Sequence, residues 1–454
     1  RHCWCFERNN MTDVESASEH SKVQNLLEEI RLLVIDSCPI TLSGSITMCF
    51  TVVCLVSVGH VAEKELAGAG FGIMFCNVTG FSVLIGLSSG LDTVASQLFG
   101  AGQHKHVGIA LQRTLFITSI AAIPIFVFWL CSGLYMNWFV DEQVAEISGS
   151  IVSIMAIGLY PGFACECVKR YLAAQGMYSP SMYSSLATLF LFTPLCWMLV
   201  DRMQLGARGA AYALVFVNFL NLSLLLLYVR LCRLHASTWF GWTSEALRGA
   251  REYLRVALPS CGMMCLEWWC FEGVTLISGR LGTTVVAAQS VMFTTTAIVY
   301  TVGVGFAIAT GVRVGNLLGA GEPARARRAA WLGWGVSVAA AALFVVFLSC
   351  FRRQWAGIFA KDVPVVDTIV SVMPIQASFL VLDSSNAVLC GAVRGCGQQY
   401  VGFVVSMIAF YGLAIPLGLG LAFGTGMGLA GLWWGLAAGS TAQALMLGGY
   451  LSRA

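Results

Sequence analysis

The chain has 454 residues, of which 57% are hydrophobic and only 11% are charged. Soluble domains carry about 25% charged residues, so a surface this poor in charge excludes a soluble fold and favours lipid as the surrounding solvent. The net charge of +3 excludes a nucleic-acid binder that relies on bulk positive charge. The composition therefore predicts an all-α integral membrane protein whose main partner is the lipid bilayer.

Apolar stretches follow one another along the chain after a polar segment at residues 1–36. A helical span needs about 20 apolar residues, because unpaired backbone groups in hydrocarbon are costly. Twelve spans are predicted, at residues 37–58, 68–91, 114–138, 147–168, 181–200, 208–229, 256–279, 285–310, 329–351, 368–391, 401–423 and 428–450. The last two are divided at residues 424–428, because the uncharged run 395–452 is too long for one span.

Basic residues are unevenly divided between alternate loops. Segments on the side of the N-terminus hold 19 of the 26 Lys and Arg residues, and the opposite loops hold 7. Because basic residues accumulate on the cytoplasmic side, this bias predicts that both termini are cytoplasmic. A plasma membrane and an organelle membrane are equally compatible with this topology.

The chain contains an internal repeat. Residues 97–102 read Gln-Leu-Phe-Gly-Ala-Gly and residues 316–321 read Asn-Leu-Leu-Gly-Ala-Gly, at an offset of 219. A second match, at an offset of 222, pairs Gly206 and Gly209 with Gly428 and Gly431. Six spans per half give both halves the same orientation, so a binding site is expected between them.

The repeat divides the chain into four predicted regions. Residues 1–36 form a cytoplasmic tail, and residues 37–229 form a six-helix N-lobe with spans 1–6. Residues 230–255 form a charged cytoplasmic linker, and residues 256–454 form a C-lobe with spans 7–12. The predicted fold is therefore two pseudo-symmetric six-helix bundles.

Span 7 contains the two most informative acidic residues. An ionisable residue inside a span is a functional candidate, because its burial costs several kcal/mol. Glu267 and Glu272 are five residues apart, which separates their side chains by about 140° around a helix, so only one is expected to face a central cavity. Trp268 and Trp269 precede Glu272 by one helical turn, and an acid beside an indole suits an organic cation. Such a carboxyl group holds either a proton or a cation, which is the simplest chemistry of exchange.

Span 10 contains one acid, Asp383, three residues before Asn386. Residues three apart on a helix are neighbours, so the two are predicted to form one polar face. The alternative is that Asp383 is a hydrogen-bonded packing residue.

Two further acids lie near cytoplasmic span ends. Glu166 precedes Lys169 and Arg170 by three and four residues, which favours a local ion pair over a transport role. For Asp92 two interpretations have equal weight: a structural helix cap, or a gate at the cytoplasmic end of the cavity.

Enzyme signatures are missing from the sequence. No phosphate-binding Gly-x-x-x-x-Gly-Lys-Ser/Thr, His-Glu-x-x-His or Gly-x-Ser-x-Gly pattern occurs, and the 17 cysteines show no paired metal-ligand spacing. No catalytic residue, metal or cofactor is therefore expected. Transport is expected to be driven by an ion gradient, of protons or of sodium, because no ATP site is present.

At several points the chain resembles the multidrug and toxin extrusion (MATE) family, in particular its eukaryotic branch. The resemblance covers nearly all of residues 35–450 and is strongest in Ala257, Leu258, Pro259 and Ser260 followed by Glu267, Trp268, Trp269, Phe271 and Glu272. Further matching residues are Gly86 to Ser89 with Asp92 and Thr93, His106 to Gly108 with Gln112 and Arg113, Arg313 to Gly321, and Arg394, Gly395, Gly397 and Gln398.

The resemblance implies two six-helix lobes around a V-shaped cavity and export of organic cations or other metabolites by proton exchange. The family's span 7 glutamates correspond to Glu267 and Glu272, and its span 10 acid corresponds to Asp383. Arg313 and Arg394 lie in the matching motifs and are, with Asp92, candidates for gating or structural roles.

The chain departs from the family pattern at three points. Thr294 stands where some relatives have a span 8 glutamate, and Gly303 stands where relatives often have a proline. Residues 40–58 contain no acid, although some bacterial relatives use a span 1 aspartate. Coupling is therefore expected to rest on the second half.

These observations predict a monomeric proton-coupled antiporter for a small organic, mainly cationic, solute. Glu272 is predicted to be the main proton and cation carboxylate, assisted by Glu267 and Asp383. One alternative is a lipid flippase of the same superfamily, which would need a basic cavity for anionic headgroups. Others are a major-facilitator porter, whose charged loop after span 2 is missing, and a membrane-embedded enzyme.

Overall fold

A computed structural model describes the backbone of residues 3–453, together with the side chains of Gln24 and residues 26–453 other than Glu63. The predicted tail at 1–36 lies partly outside these residues, including Arg1 and the side chains of Arg8 and Lys22. Helix Cys3–Gly59 runs without a break through residue 37, so no helix begins at the predicted start of the first span.

Twelve long helices make up the described chain. They are α1 (Cys3–Gly59), α2 (Lys64–Gly100), α3 (His104–Leu130), α4 (Glu142–Ala174), α5 (Ser179–Arg202), α6 (Gly206–Leu231), α7 (Ala250–Ser278), α8 (Thr283–Gly319), α9 (Pro323–Cys350), α10 (Val363–Gly395), α11 (Gln399–Gly424) and α12 (Leu429–Arg453). Ten are long and apolar enough to cross a membrane by length and composition. The other two, α7 and α12, have 29 and 25 residues, which at about 1.5 Å per residue exceeds a 30 Å bilayer core.

Two predicted segments differ in their secondary structure from the prediction. Helix α3 ends at Leu130, eight residues before the predicted 138, because residues 132–134 and 136–138 form two separate 3₁₀ turns. The predicted loop after span 9 contains a short helix, Arg352–Phe359. Both segments carry aromatic side chains at the end of a span, so composition alone does not distinguish them from a span or a loop.

The six span prolines all lie inside helices: Pro124, Pro161, Pro194, Pro259, Pro374 and Pro416. Wider π-helical turns follow Pro194 and lie on both sides of Pro416. A proline lacks the N–H that an α-helical turn would use, so the helix adjusts locally around it.

Each half of the chain has its own hydrophobic core. One core joins buried residues from Ile46 to Val229, and a second joins residues from Cys270 to Ala437. The largest side chain of each is a buried tryptophan with a bonded indole: Trp129 donates to Thr79 and Trp433 donates to Gln289. The division into a separate N-lobe and C-lobe stays a prediction.

The segment between α6 and α7 is packed onto the first half. The Gln112 side chain donates to the carbonyl of Gly241 at 2.8 Å and accepts from the N–H of Thr243 at 3.0 Å. Arg113 donates to the carbonyl of Ala246, and the Tyr171 and Thr238 hydroxyls are hydrogen-bonded. The linker is therefore a structured strap attached to α3 and α4.

The repeated motifs at 97–102 and 316–321 lie against each other where the two halves meet. A side-chain carbon on Gly100 would collide with the carbonyl of Asn316, and one on Gly319 would collide with the carbonyl of Gln97. Gly100 corresponds to Gly319 and Gln97 to Asn316 in the repeat, so the contact is reciprocal. We call this end of the molecule the motif end.

The same symmetry governs the turns. Each motif closes with a glycine in the left-handed region, Gly102 at φ +72° and Gly321 at φ +77°. Gly206 and Gly428, which begin the last helix of each half, have φ of +53° and +57°. The repeat read from the sequence is therefore a repeat of backbone geometry.

Candidate functional site

A cavity lies between the two halves, near the motif end. Its walls come from α2, α4, α7, α8 and α10. The lining residues are Asp92, Arg170, Met263, Met264, Glu267, Tyr300, Val304, Ala307, Ile308, Ala387, Cys390 and Arg394. The position between the halves agrees with the expectation from the repeat.

Glu267 is the acid of α7 that lines this cavity. Its carboxyl group is close enough to Asp383 and to the Arg394 guanidinium for electrostatic interaction with both. The Tyr300 ring of α8 lies beside the same carboxyl groups and beside Trp268. Helices from one half thus bring two acids, a phenol and an indole together.

Helix α10 supplies one continuous stripe to the site. Asp383, Ala387, Cys390 and Arg394 follow one another at spacings of four, three and four residues, which puts them on one helical face. Asp383 is only 3% exposed and is not among the lining residues. Its link to the cavity is its electrostatic interaction with Glu267.

Glu272 is half-buried and is not among the cavity-lining residues. This follows from helical geometry, because five residues turn its side chain about 140° away from Glu267. Trp269 is also turned away: its indole N–H donates to the carbonyl of Val78 and to Ser82, both on α2. Trp269 is thus a contact between the halves, whereas Trp268 stands near the acids.

Asn386 does not share the cavity face with Asp383. Its side-chain amide is buried and donates to the carbonyl of Ser440 on α12 at 3.0 Å. The predicted polar face of Asp383 and Asn386 is therefore split, because a spacing of three residues still rotates the side chains by about 60°.

The two acids near cytoplasmic span ends, Glu166 and Asp92, each form an ion pair. Lys169 donates to Glu166 at 2.8 Å, as the sequence spacing predicts. Arg170 instead pairs with Asp92 of α2, and both side chains are only 11% exposed. Asp92 therefore holds α2 to α4 and also reaches the cavity.

Hydrogen bonds close the motif end between the halves. Thr93 donates to the carbonyl of Arg394 at 2.7 Å, and Gln97 donates to the carbonyl of Gly395 at 3.0 Å. Gln399 donates to Thr93 at 2.5 Å. These bonds join α2 to the end of α10 beside the reciprocal glycine contact.

Arg313 closes the same end from a second direction. Its guanidinium donates to both carboxylate oxygens of Glu29, at 2.9 and 3.0 Å. Glu29 belongs to α1 and Arg313 to α8, so this ion pair also joins the two halves.

The two departures in α8 have different surroundings. The Thr294 hydroxyl donates to the carbonyl of Ser290 within its own helix at 2.9 Å. Gly303 faces α10, where an added side-chain carbon would lie 3.3 Å from the Cα of Ser384. The glycine therefore allows α8 to approach α10 closely.

Sequence reasoning missed Tyr300 and Arg170 as cavity residues. A tyrosine within an apolar span was the available signal for the first. Local spacing predicted that Arg170 pairs with Glu166, whereas its actual partner, Asp92, is 78 residues away in the sequence. The sequence also predicted no basic side chain at a span centre, and two arginines at span ends reach the cavity.

Comparisons with known proteins agree with this architecture. A family model described as MatE matches residues 39–198 and 259–419. Protein DETOXIFICATION 16 of Arabidopsis thaliana is 34% identical over 424 residues, covering 93% of this chain and 87% of that protein. Multidrug and toxin extrusion protein 1 of Homo sapiens is 32% identical over 425 residues, covering 93% and 75%.

Solved structures show the same fold. The crystal structure of the eukaryotic MATE transporter AtDTX14 superposes with a TM-score of 0.89 at 30% identity, covering 94% of this chain and 96% of that one. An outward-facing conformation of a multidrug resistance MATE family transporter of the MOP superfamily superposes with a TM-score of 0.83 at 17% identity, covering 94% and 96%.

Proposed function

The chain belongs to the multidrug and toxin extrusion family, and we propose that it is a proton-coupled antiporter that exports small organic, mainly cationic, solutes. The observation that carries the proposal is the position of Glu267 on a cavity between the halves, beside Asp383 and Tyr300. Relatives named for multidrug and toxin extrusion support the substrate class.

Glu267 replaces Glu272 as the main proton and cation carboxylate in this proposal. An ionised Glu267 attracts a cation, and the ring of Tyr300, which lines the same cavity, adds cation–π attraction. A proton taken up by Glu267 removes the charge and releases the cation. Because the two ligands compete for one carboxyl group, the inward movement of protons drives the outward movement of substrate.

Asp383 assists by its charge. It is buried and interacts with Glu267, so a proton on either carboxyl group lowers the repulsion felt by the other. Protonation of the pair is therefore coupled, as expected for two neighbouring acids.

Alternating access is proposed to open and close the motif end. The contact there consists of glycines against backbone carbonyls and of a few hydrogen bonds, which can part without unfolding either core. The loop charges support a cytoplasmic position for the motif end and for both termini. The two halves of one chain line the cavity, and we propose a monomer as the working unit.

Uptake of labelled tetraethylammonium into proteoliposomes tests this proposal. The wild type, Glu267→Gln and Glu272→Gln are compared with and without an imposed pH gradient. The wild type is expected to show gradient-driven uptake, and Glu267→Gln is expected to lose it. Glu272→Gln is the matched control, with the same chemical change on the same helix away from the cavity, and is expected to retain uptake. Loss in Glu272→Gln alone would return the main role to that residue, and wild-type protein without gradient-driven uptake would overturn proton–cation antiport.

A further inference from the structure

The cavity that holds Glu267 also has a basic end. Arg170 and Arg394 line it from opposite halves, and Asp92, the partner of Arg170, lines it as well. The charged lining residues are therefore two acids and two arginines. A cavity for a simple cation needs no guanidinium groups, because they repel the ligand.

The first arginine is incompletely bonded. Arg170 donates one guanidinium N–H to Asp92, but its buried Nε has no hydrogen-bond partner among the described protein groups. The Oδ1 atom of Asp92, a residue that is 9% exposed, likewise has no partner there. Leaving a buried charged donor unsatisfied costs about 1–3 kcal/mol, so the Nε atom of Arg170 marks a place for an acceptor group of a ligand.

The charge of the second arginine acts on two acids. The Arg394 guanidinium attracts both Glu267 and Asp92. Its backbone carbonyl is fixed by Thr93 and Gln399, so the start of the side chain has a defined position at the cavity edge. Its charge is thus shared by two carboxylates from different halves rather than committed to one pair.

The charges of this lining balance when Glu267 is ionised, because two acids then face two arginines. A lining with both charges and no net charge suits a ligand of the same kind, with its cationic group at Glu267 and its anionic group at the arginines. A guanidinium binds a carboxylate through two parallel hydrogen bonds, which makes it suited to this ligand.

We infer that Arg394, assisted by Arg170, forms a second subsite that binds a substrate carboxylate, so that the cavity takes zwitterions with a cationic group at Glu267 and a carboxylate at the arginines. This inference rests on the proposed function and specifies its substrate class. A cation without a carboxylate uses the Glu267 subsite alone and is bound more weakly.

Two matched ligands separate the subsites. N-methylpyridinium is a planar aromatic cation, and its 3-carboxylate derivative is the corresponding zwitterion. Each is measured as a competitor of labelled tetraethylammonium bound to the purified full chain in detergent, with the wild type, Arg394→Gln and Arg394→Lys. Arg328→Gln changes an exposed arginine at the same end and is the control.

The wild type is expected to bind the zwitterion more tightly than the cation. Arg394→Gln is expected to weaken binding of the zwitterion by at least about tenfold, because a charge-assisted pair is lost. The affinity for N-methylpyridinium is expected to change by less than about threefold. Arg394→Lys keeps the charge without the paired geometry, so its affinity for the zwitterion is expected to lie between those of the wild type and Arg394→Gln. Arg328→Gln is expected to match the wild type.

Equal weakening of both ligands in Arg394→Gln would overturn the subsite, because it indicates a structural role. Equal affinities in the wild type, or an unchanged zwitterion affinity in both Arg394 variants, would also overturn it. These outcomes are independent of proton coupling, which is tested by gradient-driven tetraethylammonium uptake. The subsite and the antiport mechanism can therefore fail separately.

Discussion

The reciprocal glycine contact at the motif end gives a direct way to shift the conformational equilibrium. A methyl group added to Gly319 would collide with the carbonyl of Gln97, which belongs to the other half. Overpacking of this kind costs about 1–3 kcal/mol. The cost exists only while the halves are in contact, so Gly319→Ala is expected to lower the closed-to-open ratio of the motif end by roughly 5–150-fold.

Replacement of a helical glycine by alanine also favours the helix, by about 0.5–1 kcal/mol. That gain is the same in the open and closed states and leaves their ratio unchanged. Gly335→Ala is the matched control, because Gly335 lies in the middle of α9 and an added side-chain carbon there would have no neighbour within 4 Å.

Hydrogen exchange measured by mass spectrometry reports the shift. Peptides that cover residues 93–102 and 394–399 lie at the contact between the halves, and Gly319→Ala is expected to accelerate the exchange of their backbone amides by exposing them to solvent. Gly335→Ala is expected to leave it unchanged. Exchange in Gly319→Ala equal to that of the wild type would refute the reasoning that this contact holds the motif end closed.

Two further predictions concern the first half. Asp92→Asn leaves Arg170 without its charged partner and is expected to destabilise the protein by about 3–5 kcal/mol. The loss is measured as a lower melting temperature in detergent. Asp92→Asn combined with Arg170→Met is expected to recover most of the lost stability. A double variant no more stable than the single one would contradict this. Gln112→Ala removes two bonds to the linker and is expected to accelerate trypsin cleavage at Arg248 by roughly tenfold, with the exposed Gln103→Ala as control. Cleavage at the wild-type rate would show that the strap is held by other contacts.

The fold was predictable because it depends on local and repeated signals. Apolar length fixes a span, and the matching motifs at 97–102 and 316–321 indicate the symmetry. The exact end of α3 was not predictable, because residues 131–138 are uncharged like the span before them. Only the folded backbone separates them into turns.

The site was predictable in its residue types but not in their directions. Helical geometry separates Glu267 from Glu272 by about 140°, yet the face that meets the cavity is decided by how α7 packs against α2. Packing of α10 against α12 likewise turns Asn386 away from the cavity. Such contacts join residues far apart in the chain, so spacing within one helix cannot reveal them.

Proton release on substrate binding tests the central claim most directly. Purified protein in weakly buffered detergent solution, with a pH indicator, is mixed with saturating tetraethylammonium near the pH at which half of the protein holds a proton at Glu267. If the cation and the proton compete for Glu267, the wild type and Glu272→Gln release protons on binding, and Glu267→Gln releases none. Equal proton release by Glu267→Gln and the wild type would contradict the assignment of exchange to this carboxyl group.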